Sequence, residues 1–243
     1  MLIVVELSAA QDTLIDSALM HLAMGRGTEM DCLGVVSSLH RYDDASCDFL
    51  LGYSHARTFS PVHRALLNLD KLQSPLEARL DAAIKQCPVD NVDISGRSPL
   101  AWAVEYRYLD GVRALLDRGG SASFIRTSVS RSVAMPLLHL LLAGPTDDTD
   151  VLLAIVDALV FAGADVMATD DEGWTSLHVA ASWDMFAVSR SLLSSGDRGH
   201  LIMAKTHKGE TAYDLAYAAK GGENLLLLLG GGGHLDSTWQ MIV

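Results

Sequence analysis

Three histidines recur at one place in similar phrases: His63 in Pro61-Val62-His63, His139 in Leu137-Leu138-His139 and His178 in Ser176-Leu177-His178. A ladder of histidines raises the question of metal. Zinc requires a convergent set of His, Cys or carboxylate ligands, and one histidine per separated segment does not supply it. Cys32, Cys47 and Cys87 have no metal-ligand spacing and leave an odd thiol, which points to a reducing compartment. The cluster Asp147-Asp148-Thr149-Asp150 lacks the spaced oxygens and terminal glutamate of a calcium loop. Gly230 to Gly233 has no Lys-Ser/Thr behind it, so it is not a phosphate cradle. Nucleophile-elbow, metalloprotease and dinucleotide fingerprints are likewise missing. The expectation is no catalytic residue, no metal and no cofactor.

What positions the histidines is a repeated element. Ser98-Pro99-Leu100-Ala101, Pro136-Leu137-Leu138-His139 and Thr175-Ser176-Leu177-His178 each open a short apolar helix, and a second helix ending in glycine follows. Their third positions, Leu100, Leu138 and Leu177, lie 38 and 39 residues apart. Recurrence on this scale signals a supersecondary unit stacked on its own copies. Ser98 is placed to cap its helix, and Pro99 stands at the first helical position, where a missing N–H does no harm. Gly119 suits the left-handed turn that ends a helix.

The segment Asp93-Ile94-Ser95-Gly96-Arg97-Ser98-Pro99-Leu100-Ala101-Trp102-Ala103-Val104, with Val112 to Leu116 and Gly119, resembles an ankyrin repeat. So does Asp170-Asp171-Glu172-Gly173-Trp174-Thr175-Ser176-Leu177-His178-Val179-Ala180-Ala181, which closes at Leu192-Leu193 and Gly196. Leu100 to Gly119 and Leu177 to Gly196 are both 19 residues. A degenerate copy at Leu138 has an insertion at Gly144 to Thr149 and an outer helix over Leu152 to Ala162. A fourth copy starts near Gly209 with an outer helix from Glu223 to Leu229, and an upstream copy at Ser60 to Ala65 takes Arg79 to Lys85 as its outer helix. The resemblance implies an all-α fold, an ankyrin-repeat solenoid of four to five helical hairpins with a helical N-terminal cap. The expected divisions are 1–59 for the cap, 60–230 for the array and 231–243 for a C-terminal tail. Within the cap, Gln11 to Met24 and Asp31 to His40 read as short helices. The resemblance also gives the histidines a structural role, hydrogen bonding within and between the fingers that link the hairpins.

Bulk properties agree with a binding protein. Of 243 residues, 49% are hydrophobic, enough for a continuous core, and the net charge is −12. Such acidity disfavours nucleic acid and anionic membranes as partners. Met1 to Val5 and Leu225 to Leu229 are too brief to span a bilayer, so a cytoplasmic or nuclear setting is expected.

Carried over residue by residue, the resemblance places Trp102, Glu105 and Tyr106, and then Trp183, on the groove side of the inner helices, with Trp174 on a finger nearby. Tryptophan and tyrosine join large apolar area to a polar handle and dominate binding hot spots. The finger from Ser121 to Ala134 is longer than the repeat needs. Between Arg118 and Thr146 the chain has no acid, and Arg126 and Arg131 would suit an acidic segment of a partner. The function expected is therefore a protein–protein interaction module without catalysis. Its anchors would be Trp102, Glu105, Tyr106, Arg126, Arg131, Trp174 and Trp183. The alternative is a small-molecule-binding protein or cofactor-independent enzyme, which would use an apolar, aromatic-lined pocket against a small hydrophobic ligand.

Overall fold

A hydroxyl or carboxylate one residue ahead of an apolar run is the local signal for five of these helices. Ser60, Ser98, Asp148, Thr175 and Thr211 all stand at N-caps. A computed structural model describes residues 14–17, 19–20, 24, 55, 57–70, 73–123, 125–127, 134–143, 148–195 and 198–230. These residues fall into two compact units, one running to Gly120 and the other from Ser121. That division lies inside the span 60–230 expected to be one array, and it coincides with the start of the extended finger.

In the first unit, residues 14–17 and 19–20 are helical, and Ile15, Leu19 and Met20 are buried. Then come α1 (Pro61–Leu67), α2 (Leu76–Ala83), α3 (Pro99–Glu105) and α4 (Leu109–Leu116). Helices pair as hairpins, α1 with α2 and α3 with α4. The hairpins then pack like against like, α1 on α3 and α2 on α4. Leu66, Leu67, Leu80, Leu100 and Leu115 fill the space between them and are fully buried.

The second unit opens with a two-stranded antiparallel hairpin, β1 (Ile125–Thr127) and β2 (Ala134–Pro136), in which Arg126 pairs with Met135. The finger, expected to be longer than the repeat needs, thus carries a short ladder, since β-branched Ile125 and Thr127 favour extended backbone. Helices α5 (Leu137–Leu142), α6 (Thr149–Phe161), α7 (Ser176–Ser182), α8 (Phe186–Ser195), α9 (Arg198–Met203), α10 (Ala212–Ala218) and α11 (Glu223–Gly230) follow. Inner helices α5, α7 and α10 form one row, and outer helices α6, α8 and α11 form a second. Helix α9 was not anticipated; its Leu201 and Ile202 are buried, and it touches α8 and α10.

Finger geometry repeats closely. The N–H of Asp93, Asp170 and Thr206 donates to the carbonyl of Arg97, Trp174 and Glu210, at 2.9, 3.0 and 2.9 Å. At the bend, Gly96, Gly173 and Gly209 hold φ of 71°, 78° and 83°, a region glycine enters without strain. The expected helix over Asp31 to His40, the insertion at residues 144–147 and the tail 231–243 lie outside the described residues.

Candidate functional site

Burying a charge is costly unless it is paired and hydrogen-bonded. The first unit buries several. Arg97, directly ahead of the Ser98 cap, has a side chain only 4% exposed. Its Nη2 donates to Asp16 Oδ2 at 2.8 Å, its Nε to Asp93 Oδ2 at 3.2 Å and its Nη1 to Glu105 Oε2 at 3.4 Å. The guanidinium lies 3.8 Å above the Trp102 ring, whose Nε1–H donates to Asp93 Oδ2 at 3.0 Å. Arg57 joins through Asp16 Oδ2 at 2.8 Å and Ser95 Oγ at 3.0 Å. Burial by itself would lower the Arg97 pKa; Asp16, Asp93 and Glu105 overcome it and hold the guanidinium protonated above the ordinary arginine range.

This cluster decides the fate of the predicted aromatics. Trp102 was expected to face a partner, but it is fully buried. Phe59 meets it edge-on at 5.2 Å and Tyr106 stacks on it at 5.6 Å, so its indole belongs to the core of the unit. Glu105 and Tyr106 stay half-buried beside it. Burial, followed by the Asp16 and Glu105 carboxylates, raises the Tyr106 phenol above its usual range, so that it stays neutral. Trp102, Glu105 and Tyr106 are brought together, as expected. Arg97, Asp93, Asp16 and Arg57 escaped sequence reasoning. An arginine four residues after Asp93 and five before Trp102 was a usable signal, whereas Asp16 is 81 residues from Arg97 and left none.

In the second unit, Trp174 is half-buried on its finger, with its N–H bonded to Asp170 Oδ1 at 2.9 Å. Trp183, at the C-cap of α7, is 55% exposed. Arg126 has its backbone in β1, its side chain is not described, and Arg131 lies outside the described residues.

The histidines serve the fingers. His63 Nε2 bonds the Arg97 carbonyl at 3.1 Å, His139 Nε2 the Trp174 carbonyl at 2.7 Å and His178 Nε2 the Ala204 carbonyl at 3.2 Å. A carbonyl can only accept, so Nε2 carries the proton and Nδ1 is left as acceptor. Nδ1 of His63 and His178 accepts from the N–H of Ser60 and Thr175, at 3.3 and 3.1 Å. At His139 the cap is Pro136, which has neither N–H nor hydroxyl, and Nδ1 is left without a partner. Burial pushes the His63 pKa down to about 4 and lowers those of His139 and His178. All three are neutral bridges near pH 7.

A cavity of about 310 Å³ lies in the first unit, lined by residues that include Arg64, Asn68, Asp70, Arg79 and Gln86. Neither arginine is open there. Arg64 pairs with Asp70, and Arg79 donates to the carbonyls of Ala65 and Ser74. Its lining holds no aromatic residue, so it is not the aromatic-lined pocket of the alternative ligand reading. Among the described residues, no group of three or more His, Cys, Asp or Glu could hold a metal. Nor is any described helix long and apolar enough to cross a membrane.

No family model matches the chain. The B-cell lymphoma 3 protein homolog of Mus musculus is 30% identical to it over 187 residues, 74% of this chain and 39% of that protein. That relative is an ankyrin-repeat protein. The chain thus spans well under half of its length.

Proposed function

We propose that the chain is a protein-interaction module, an ankyrin-type solenoid of irregular hairpins whose fingers and inner-helix ends hold a segment of a partner protein. Three fingers with the same hydrogen bonds and left-handed glycines support the solenoid reading, as does the likeness to an ankyrin-repeat protein. One observation carries the binding reading. Trp183 presents over half its surface to solvent at a position the hairpin does not need filled. Trp174 in the same unit is a further contact; Glu105 with Tyr106 form a separate candidate surface of the first unit. Trp102 supports Tyr106 from beneath instead of touching the partner. Arg126 and Arg131 on the long finger supply the complement to an acidic segment.

The test is affinity capture with wild type and Trp183→Ala, quantified by mass spectrometry. Loss of a hot-spot tryptophan costs about 2 kcal/mol or more, a drop in affinity of roughly thirtyfold, while the exposed position leaves folding intact. Equal capture by both proteins would remove Trp183 from the interface and the reading with it.

A further inference from the structure

Helices α3 and α7 can be matched position by position from their caps, Ser98 and Thr175. Five residues ahead of the cap stands an aspartate, Asp93 or Asp170, and eight residues after it an aromatic C-cap, Tyr106 or Trp183. Both aspartates use Oδ1 to hold the finger. Asp93 accepts there from the N–H groups of Ser95 and Arg97, and Asp170 from those of Glu172 and Trp174. Their Oδ2 atoms differ. Asp93 Oδ2 accepts from Arg97 and Trp102, whereas Asp170 Oδ2 accepts no hydrogen bond among the described residues. The sequence gives the reason. Trp174 stands at the place of Arg97 and Val179 at that of Trp102, so the second hairpin keeps the acid without its cation.

The other end of α7 has the same character. Trp183 is followed by Asp184 where Tyr106 is followed by Arg107, both at a φ of 54°. Asp184 Oδ1 accepts from the Gly222 N–H at 2.8 Å, which fixes an exposed carboxylate one residue from an exposed indole. No described cation lies over Trp174 or Trp183. Between Arg131 and Arg190 the sequence has nine acids and no lysine or arginine. Lys205 and Lys208 at the next finger are outnumbered by Asp170, Asp171, Glu172 and Glu210, and Lys220 by Asp184 and Glu223.

We propose that the partner segment held along α7 is basic, with one Arg or Lys side chain meeting Trp174 and Asp170 Oδ2 and a second meeting Trp183 and Asp184. This rests on the reading of Trp183 as a contact and concerns α7, not the long finger. The first unit completes the same chemistry within the chain, where Arg97 lies 3.8 Å above the Trp102 ring and its Nε donates to Asp93 Oδ2. The quadrupole of an indole face attracts a cation, and a carboxylate beside it adds a charge-assisted hydrogen bond. The C-terminal end of α7 contributes partial negative charge near Trp183. Trp174 and Trp183 are nine residues apart, about 13 Å at the helical rise of roughly 1.5 Å each. An extended segment, at roughly 3.3 Å per residue, spans this with its cations about four positions apart.

The probe is the peptide acetyl-Ala-Arg-Ala-Ser-Ala-Arg-Ala-amide, compared with the same peptide bearing citrulline, which keeps the shape but not the charge, at both arginines. The indole N–H signals of the full chain are followed by NMR and assigned with Trp174→Phe and Trp183→Phe. The expected result is movement of both signals and binding about tenfold tighter than that of the citrulline peptide. Asp170→Asn and Asp184→Asn should each weaken the arginine peptide by about threefold to fivefold and leave the citrulline peptide unchanged. Equal affinity for the two peptides, or a Trp183 signal that the arginine peptide does not move, overturns the proposal. So does undiminished binding of the arginine peptide to the Asp170→Asn/Asp184→Asn double variant. The capture comparison with Trp183→Ala is independent: capture that needs Trp183 while the two peptides bind alike keeps the interaction surface and discards only the basic partner.

Discussion

Replacing Arg97 by methionine keeps the length of the side chain and removes the charge that three carboxylates surround. The side chains of Asp93 and Asp16 are 0% and 3% exposed, so water cannot take over from the guanidinium. Breaking a buried pair from one side costs about 3–5 kcal/mol. The lower end applies here, because both acids keep other donors. Asp93 Oδ1 still accepts from the N–H groups of Ser95 and Arg97, at 2.8 and 2.9 Å, and Arg57 still holds Asp16. Glu105 is 27% exposed, and its contact adds at most about 1 kcal/mol. The expected loss is about 3 kcal/mol, a large share of the roughly 5–15 kcal/mol that holds a domain folded. Arg97→Lys should cost about half as much, since one ammonium keeps the charge but cannot fork between three acids. Urea unfolding followed by far-UV circular dichroism measures the difference. Adding Asp93→Asn to Arg97→Met removes the stranded charge, so the double variant should recover about 1–3 kcal/mol relative to the sum of the single losses. A loss below about 1 kcal/mol for Arg97→Met, or simple additivity in the double variant, would refute a desolvated cluster.

The neutral histidines make stability depend on pH. The His63 pKa is about 4 in the folded chain against 6.5 for an unperturbed group, so between those values the unfolded chain binds more protons. Stability is complete above pH 6.5 and falls as pH drops toward 4, by about 3 kcal/mol for His63; His63→Gln should flatten urea midpoints measured across that window. Gly173 and Gly209 both have positive φ, but a Cβ on Gly173 would stand 2.7 Å from the His207 ring while one on Gly209 meets nothing within 4 Å. Gly173→Ala should therefore cost about 2–3 kcal/mol and Gly209→Ala about 1, read as melting temperatures; equal losses would mean that the His207 ring moves aside freely. At Pro136 a hydroxyl would reach the unpartnered Nδ1 of His139, as Ser60 and Thr175 reach theirs at 2.8 Å. Pro136→Thr should be more stable than Pro136→Ala by about 1 kcal/mol, a comparison that cancels the loss of proline from both.

Much of the fold was legible because it is written locally. Caps at Ser60, Ser98, Thr175 and Thr211, glycines at the finger bends and apolar spacing in the helices all act within a few residues, so their meaning survives in a string of letters. The repeated histidine was readable for the same reason, since the cap that takes its Nδ1 lies three residues away. The extra helix α9 was not, because its only signal is one buried apolar pair, Leu201 and Ile202, in a polar stretch.

Exposure is a different kind of property, and only the tertiary structure decided it. Trp102 and Trp183 both sit on or beside an inner helix at places the hairpin leaves free, and their sequence settings gave the same expectation. One is sealed under Arg97, Phe59 and Tyr106, and the other stands 55% in solvent. The difference comes from Asp16, Arg57 and Phe59, whose distance along the chain from Trp102 carries no periodic signal. Repetition along the sequence determined that helical hairpins form and how they pair. Which side chains remain for a partner depended on long-range packing, because burial is set by whatever surface the rest of the chain brings against a residue.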